Sequence, residues 1–195
     1  MIWSAVTCHR FPARDLSRAR LLWKSIPCLA MPLHTKWLSV PLDFAHLQSL
    51  IIAQFPLGPN SIHGPDHWRM VQRNGLLLAK ETGAIEVVVR LFALFHDSRR
   101  QNESTDAEHG PRGAQFARAL YGSAFEISPE ELDLLEQACH GHTSGHRHPD
   151  PTIGTCWDAD RLDLGRVGII PEEAFMSTEF GKRIARKGLI HPFIK

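Results

Sequence analysis

The stretch Leu91-Phe92-Ala93-Leu94-Phe95-His96-Asp97-Ser98-Arg99-Arg100 decides how this chain is read. Residues 87–95 are apolar except for Arg90, the hydrophobicity of a buried helix. The run ends on an imidazole beside a carboxylate, and two guanidinium groups follow. A His and an Asp fixed at the end of a buried helix can hold a hard or borderline divalent cation at low cost in side-chain entropy. The pair alone is weak evidence, since chance would supply about 0.6 His-Asp dipeptides in a chain of this composition. It needs partners elsewhere in the sequence.

Working outward, residues 43–55 carry Phe44, Leu47, Leu50 and Ile51 at helical spacing, and Pro56 with Gly58 ends the pattern. A second helix is expected from Gly64-Pro65-Asp66 to Thr82, because proline is tolerated in a first turn and Gly83 follows. The buried helix then spans residues 84–96. Residues 101–108 are polar and loop-like. A helix is expected from His109 or Gly110 to Tyr121, and another opens at Ser128-Pro129-Glu130-Glu131 with a Ser cap, Pro and first-turn acids. Residues 141–155 read as a loop rich in Gly, His and Pro, followed by a helix at 158–164 and a basic one at 177–187. No strand candidate exceeds a few residues, so the expected class is all-α.

Composition narrows the function classes. The chain has 195 residues, 43% of them hydrophobic, enough for one full core and hardly for two. No apolar run approaches the roughly 20 residues that span a bilayer, so no membrane partner is expected. The formal charge of +1 argues against a stable nucleic-acid complex, which draws on clustered Lys and Arg. Cys8, Cys28, Cys139 and Cys156 show no CxxC spacing, and a reducing cytoplasm is the simpler location. Eight of the twelve histidines fall between His63 and His148, an excess that points to metal chemistry.

Residues 1–42 differ from the rest: they carry six Lys and Arg against Asp15 alone, while the remainder has a net charge of −4. A start at Met31 would leave 165 residues with every motif discussed here. The segment is therefore read as an N-terminal extension or misassigned start, with organelle targeting as the alternative. Residues 43–195 form the expected functional domain.

His67 lies near the start of one expected helix, His96-Asp97 at the end of the next, and Asp160 within Asp158-Ala159-Asp160-Arg161-Leu162-Asp163. This order resembles the HD-domain superfamily of metal-dependent phosphohydrolases over residues 43–170. The likeness is strongest in Ser61-Ile62-His63-Gly64-Pro65-Asp66-His67-Trp68, in Leu94-Phe95-His96-Asp97-Ser98-Arg99-Arg100, and in Trp157-Asp158-Ala159-Asp160-Arg161-Leu162-Asp163-Leu164-Gly165. Two departures are Met70, where such proteins often carry Arg, and Ser98-Arg99-Arg100 in place of the commoner Ile-Gly-Lys.

The resemblance implies an HD-like helical bundle with His67, His96, Asp97 and Asp160 as metal ligands. Asp158 competes for the last place, but the Ala-Asp-Arg-Leu pattern favours Asp160, and residues two apart point about 200° apart on a helix. Two imidazoles and two carboxylates suit Mn²⁺, Fe²⁺, Co²⁺, Ni²⁺ or Mg²⁺ with positions left for water and a phosphate oxygen. Asp97 is given a second role, taking a proton from the nucleophilic water. His142 is the candidate general acid, His63 and His109 candidate phosphate donors, and Arg99, Arg100 and Arg112 candidate phosphate clamps. Any of the three histidines could also serve a second ion, but one ion is favoured because no second carboxylate-rich set is evident.

The expected activity is hydrolysis of a phosphomonoester or phosphoanhydride, with a small, nucleotide-like substrate. The rival is a non-catalytic metal-containing sensor or adaptor that binds a nucleotide second messenger. A structural zinc loop built from Cys139, His140, His142, His146, His148 and Cys156 is disfavoured by its irregular spacing.

Overall fold

Asp43 starts the first helix, α1 (Phe44–Ile52), by accepting hydrogen bonds from Ala45 N and His46 N at 3.0 Å. The computed structural model describes residues 42–188, all within the compact unit Leu38–Lys195. The expected extension at 1–42 therefore lies outside the described residues except for Leu42, which packs on the core. Next comes α2 (Pro65–Thr82), with Pro65 in its first turn and Gly83 as a left-handed cap at φ 71°. Then follow α3 (Glu86–Phe95), α4 (His109–Leu120), α5 (Pro129–Gly141), α6 (Pro151–Arg161) and α7 (Glu179–Lys187). Short 3-10 turns lie at Leu164–Val167 and Glu173–Phe175, and no strand occurs among the described residues. The fold is an all-α bundle.

The all-round apolar character of α3 is met by burial on all sides: it touches α1, α2, α4, α5 and α6. Leu91, Phe92, Ala93 and Phe95 have no exposed surface, and Arg90 keeps its guanidinium over the Phe44 ring at 4.7 Å. The α5 start is the expected one, a capping box in which Ser128 Oγ accepts from Glu131 N and Glu131 accepts from Ser128 N.

The region 141–155 corrects its sequence reading as a loop. Residues 142–149 are irregular, but α6 already begins at Pro151 and ends at Arg161. The Asp150 carboxylate accepts from Thr152 N and Ile153 N at 2.8 and 3.0 Å, so Asp150-Pro151 is an N-cap followed by a first-turn proline. No helix among the described residues is long and apolar enough to cross a membrane.

Glycine at two positions lets α4 approach the ends of α3 and α5. A Cβ at Gly113 would sit 2.4 Å from Phe95 O, and one at Gly110 would sit 2.5 Å from Cys139 O at the end of α5. This close approach brings the first residue of α4, His109, beside the His96-Asp97 corner and the end of α5.

Candidate metal centre

Five helix ends converge on the Asp97 carboxylate. His67 sits in the first turn of α2, His96 caps α3, His109 opens α4, His142 caps α5 and Asp160 lies in the last turn of α6. His67 Nε2 and His96 Nε2 are 3.1 Å apart and lie 3.7 and 3.8 Å from Asp97 Oδ2. Asp160 Oδ1 is 3.2 Å from His67 Nε2 and 3.7 Å from His96 Nε2. The other Asp97 oxygen, Oδ1, lies 3.1 Å from His109 Nε2 and 3.6 Å from His142 Nε2, and those two nitrogens are 2.8 Å apart. Neighbouring ligand atoms around an ion with bonds of about 2.1 Å are separated by roughly 3 Å, so both groups suit a small divalent cation.

The histidine rings are oriented for this. His67 Nδ1 donates to Asp163 Oδ2 at 2.7 Å, His142 Nδ1 to Cys139 O at 2.8 Å, and His96 Nδ1 to Phe92 O at 3.1 Å. His109 Nδ1 donates to Asp106 O. Each bond keeps a proton on Nδ1 and turns Nε2 inward, the orientation that metal-binding imidazoles use. His63 differs: its Nδ1 faces Asp97 Oδ2 at 3.0 Å, and its ring stands at the cavity wall.

Electrostatics separate the two imidazoles of the first group. Burial alone would push His67 down, but Asp160 and Asp163 on its two nitrogens, helped by the field of Asp97, raise it to about 9. Burial dominates at His96 and lowers it to about 3 against the pull of Asp97 and Asp160. Burial would raise the Asp97 carboxyl, yet the surrounding histidines hold it well below the usual carboxylate range. A divalent cation held by these residues would have to replace the His67 proton, so binding would be coupled to proton release. Asp97 Oδ1 is also a buried oxygen without a hydrogen bond, and the chemistry of the donors around it suits a metal.

Of the expected ligands, His67, His96 and Asp97 form one metal-competent group, and Asp160 stands beside it against the two imidazoles. Asp158 is directed elsewhere: its buried carboxylate accepts from Ser177 N, Thr178 N and Thr178 Oγ1 at 2.6 to 2.8 Å and anchors the start of α7. Sequence spacing favours one ion because it shows no second carboxylate-rich set. The fold supplies a second metal-competent group, Asp97 with His109 and His142, from the other oxygen of the same carboxylate. His142 and His109, expected as acid and phosphate donor, are members of that group. The zinc loop does not form: among the described residues no metal-competent group contains a cysteine, and Cys139 and Cys156 are buried in the core.

A cavity of about 450 Å³ opens onto Asp97, His109, His142 and Asp160. Arg100 reaches it, with Nη1 3.6 Å from Asp97 Oδ1. Arg99 and Arg112, expected as phosphate clamps, do not line this cavity. The Arg99 guanidinium lies over the Phe116 ring at 3.5 Å and donates to Gln54 O, because the turn after Asp97 sends it outward. Arg112 Nη2 pairs with Asp106 Oδ2 at 2.5 Å, and its Nε donates to Arg99 O. Two cations that the sequence reading missed, Arg161 and Arg166, line the cavity instead. Asp163, also missed, has a signal in its spacing: it follows Asp160 by three residues, one helical turn, on the same face.

No protein-family model matches the chain, and no curated protein matches it. A search of solved structures finds a predicted HD superfamily hydrolase from an uncultured Thermotogales bacterium. The two share 22% identity and superpose with a TM-score of 0.58, over 73% of this chain and 83% of the other. At that identity the likeness establishes the fold, an HD-type helical bundle.

Proposed function

We propose that this HD-fold protein is a metal-dependent phosphohydrolase that cleaves a phosphomonoester or phosphoanhydride in a small, nucleotide-like substrate. One observation carries the reading: four imidazoles turn Nε2 inward around a single buried carboxylate whose two oxygens face different histidine pairs. In this reading His67, His96, Asp160 and Asp97 Oδ2 hold one divalent ion, and His109, His142 and Asp97 Oδ1 hold a second. Nitrogen-rich donors favour Mn²⁺, Fe²⁺, Co²⁺ or Ni²⁺ over Mg²⁺. Bound there, the ions supply Lewis acidity toward a phosphoryl oxygen and lower the pKa of water at neutral pH.

The protein's own groups do the rest. Arg100 and Arg166 offer charge to the phosphoryl oxygens as charge develops on them. Thr143 Oγ1, 3.0 Å from His109 Nε2, adds a hydroxyl at the cavity floor. Asp97 is assigned as a shared ligand, since both its oxygens face histidine nitrogens. The proton-transfer role passes to His63, which lies 3.0 Å from Asp97 Oδ2 and borders the cavity where a leaving oxygen would stand. The free, buried thiols of Cys139 and Cys156 support a reducing compartment, the cytoplasm in this reading.

The test is turnover by the purified chain, supplied with Mn²⁺, Fe²⁺, Co²⁺ or Ni²⁺ in turn, against nucleotides and sugar phosphates, with binding of cyclic dinucleotides measured alongside. The proposal expects phosphate release that a chelator abolishes and added metal restores. Tight nucleotide binding with no release under any of these metals would select the sensor or adaptor instead.

A further inference from the structure

His142, a member of the second metal-competent group, and Thr143, whose Oγ1 lies 3.0 Å from His109 Nε2, open the irregular loop 142–149. Side chains on loops are held less precisely than side chains on helices unless neighbouring groups lock them. Two residues of α6 one helical turn apart, Trp157 and Arg161, supply the lock, with the Arg161 guanidinium carbon 5.6 Å from the centre of the indole.

Trp157 is buried, and its Nε1 donates at 2.9 Å to Ala138 O in the last turn of α5, where carbonyls run out of partners along the helix. The loop rests directly on the indole: a Cβ at Gly145 would sit 2.3 Å from Trp157 Cη2, and one at Gly141 would sit 2.8 Å from Cζ2. Gly145 N donates to Gly141 O at 2.8 Å and closes the turn that carries His142 and Thr143. Arg161 then binds the backbone of this turn. Its Nη1 donates to His146 O at 2.8 Å and to Phe175 O, and its Nη2 donates to Gly145 O. One guanidinium therefore ties the loop after α5 to the 3-10 turn before α7.

Arg161 borders the cavity, and charge alone would make it a phosphate contact. Its donors are engaged by three main-chain carbonyls instead. We infer that Arg161 is a positioning residue: with Trp157 it fixes the turn 142–146 so that His142 and Thr143 face His109, and it does not hold the phosphoryl group. Its effect on metal rests on the two-ion reading proposed above. Asp160, the neighbour of Arg161, stands against the imidazoles of the first group, so the end of α6 serves both groups. The fork is what the role requires. A lysine ammonium is a point charge and lacks the planar array of donors that reaches separate carbonyls.

The experiment measures backbone hydrogen exchange by mass spectrometry on the full chain without metal, in wild type, Arg161→Lys, Arg161→Ala and Gly145→Ala. The last variant leaves Arg161 in place and disturbs only the contact with the indole. Peptides covering 142–149 should exchange at least about tenfold faster in all three variants, while peptides from α2 and α3 keep their wild-type rates. In a Mn²⁺ titration the second of two ions should weaken by at least about tenfold and the first should stay within about twofold. Unchanged exchange at 142–149, with inorganic phosphate binding lost in Arg161→Ala and kept in Arg161→Lys, would make Arg161 a phosphate contact and overturn the inference. Faster exchange throughout the chain, or both ions weakened alike, would reduce it to a general stabilising contact and overturn the inference as well. Faster exchange confined to 142–149 in a chain that takes up one ion only would support the lock and remove the two-ion reading.

Discussion

Asp163 accepts the Nδ1 proton of His67 at 2.7 Å, and this bond decides which way the His67 ring offers its lone pair. Without it the ring is free to flip or to carry its proton on Nε2, where it would oppose a cation. Asp163 also stands 3.4 Å from Arg166 Nη1, so its charge is balanced from the cavity side. Orienting partners of this kind are worth about 10- to 100-fold in metal affinity. Asp163→Ala should therefore weaken Mn²⁺ binding by at least about tenfold in a competition with a fluorescent chelator. A change below twofold would show that the bond does not set the ligand.

The approach of α4 to the corner after α3 can be tested at Gly113. Its added Cβ would meet Phe95 O at 2.4 Å and His96 O at 3.0 Å, both backbone atoms that cannot swing away. Gly113→Ala should cost about 1–3 kcal/mol, the usual range for overpacking, and move His109 off Asp97. Denaturant unfolding measures the first effect and metal content the second. Unchanged stability would mean that α4 shifts freely.

The two arginines that follow Asp97 should separate cleanly. Arg100 reaches the cavity, whereas Arg99 is spent on Phe116 and Gln54. Loss of a hydrogen bond to a charged group costs about 1.5–3 kcal/mol, so Arg100→Ala should lower kcat/KM by roughly 10- to 150-fold. Arg99→Ala should stay within about twofold of wild type, with its effect on the melting temperature. Equal activity losses would put both guanidinium groups on the substrate.

Acid should act on the loop before α4 through Asp106. Burial pushes this carboxyl up, but hydrogen bonds from Arg112 and Gln101 N more than reverse that and hold it below the usual range. A depressed carboxyl contributes stability that is fully present above the unfolded pKa of about 3.9 and is lost as pH falls through the folded value. Asp106→Asn should thus melt below wild type at pH 7, with the gap closing below about pH 4. Melting curves of both proteins from pH 3 to 7 measure it, and a gap that widens in acid would reverse the sign.

Much of this site was legible in the residues. The apolar run before His96 specified a buried helix, and proline and serine marked the starts of α2 and α5. The four candidate positions followed from their order, and the fold places Asp160 beside the group formed by His67, His96 and Asp97. Distances across the chain were not legible: nothing near His109 or His142 says that Gly110 and Gly113 bring them to the far oxygen of Asp97. Arg99 leaves the turn away from the cavity, because adjacency to a ligand does not tell which side of a turn a side chain leaves from. The loop reading of 141–155 gave way at Asp150-Pro151, where a turn dipeptide and a helix start have the same composition.

Whether Asp97 is a ligand shared by both histidine pairs is decided by metal content and phosphate release measured together on Asp97→Ala and wild type. About two Mn²⁺ per wild-type chain are expected, with loss of both metal and turnover in Asp97→Ala. Full metal loading with undiminished turnover in that variant would contradict the shared role.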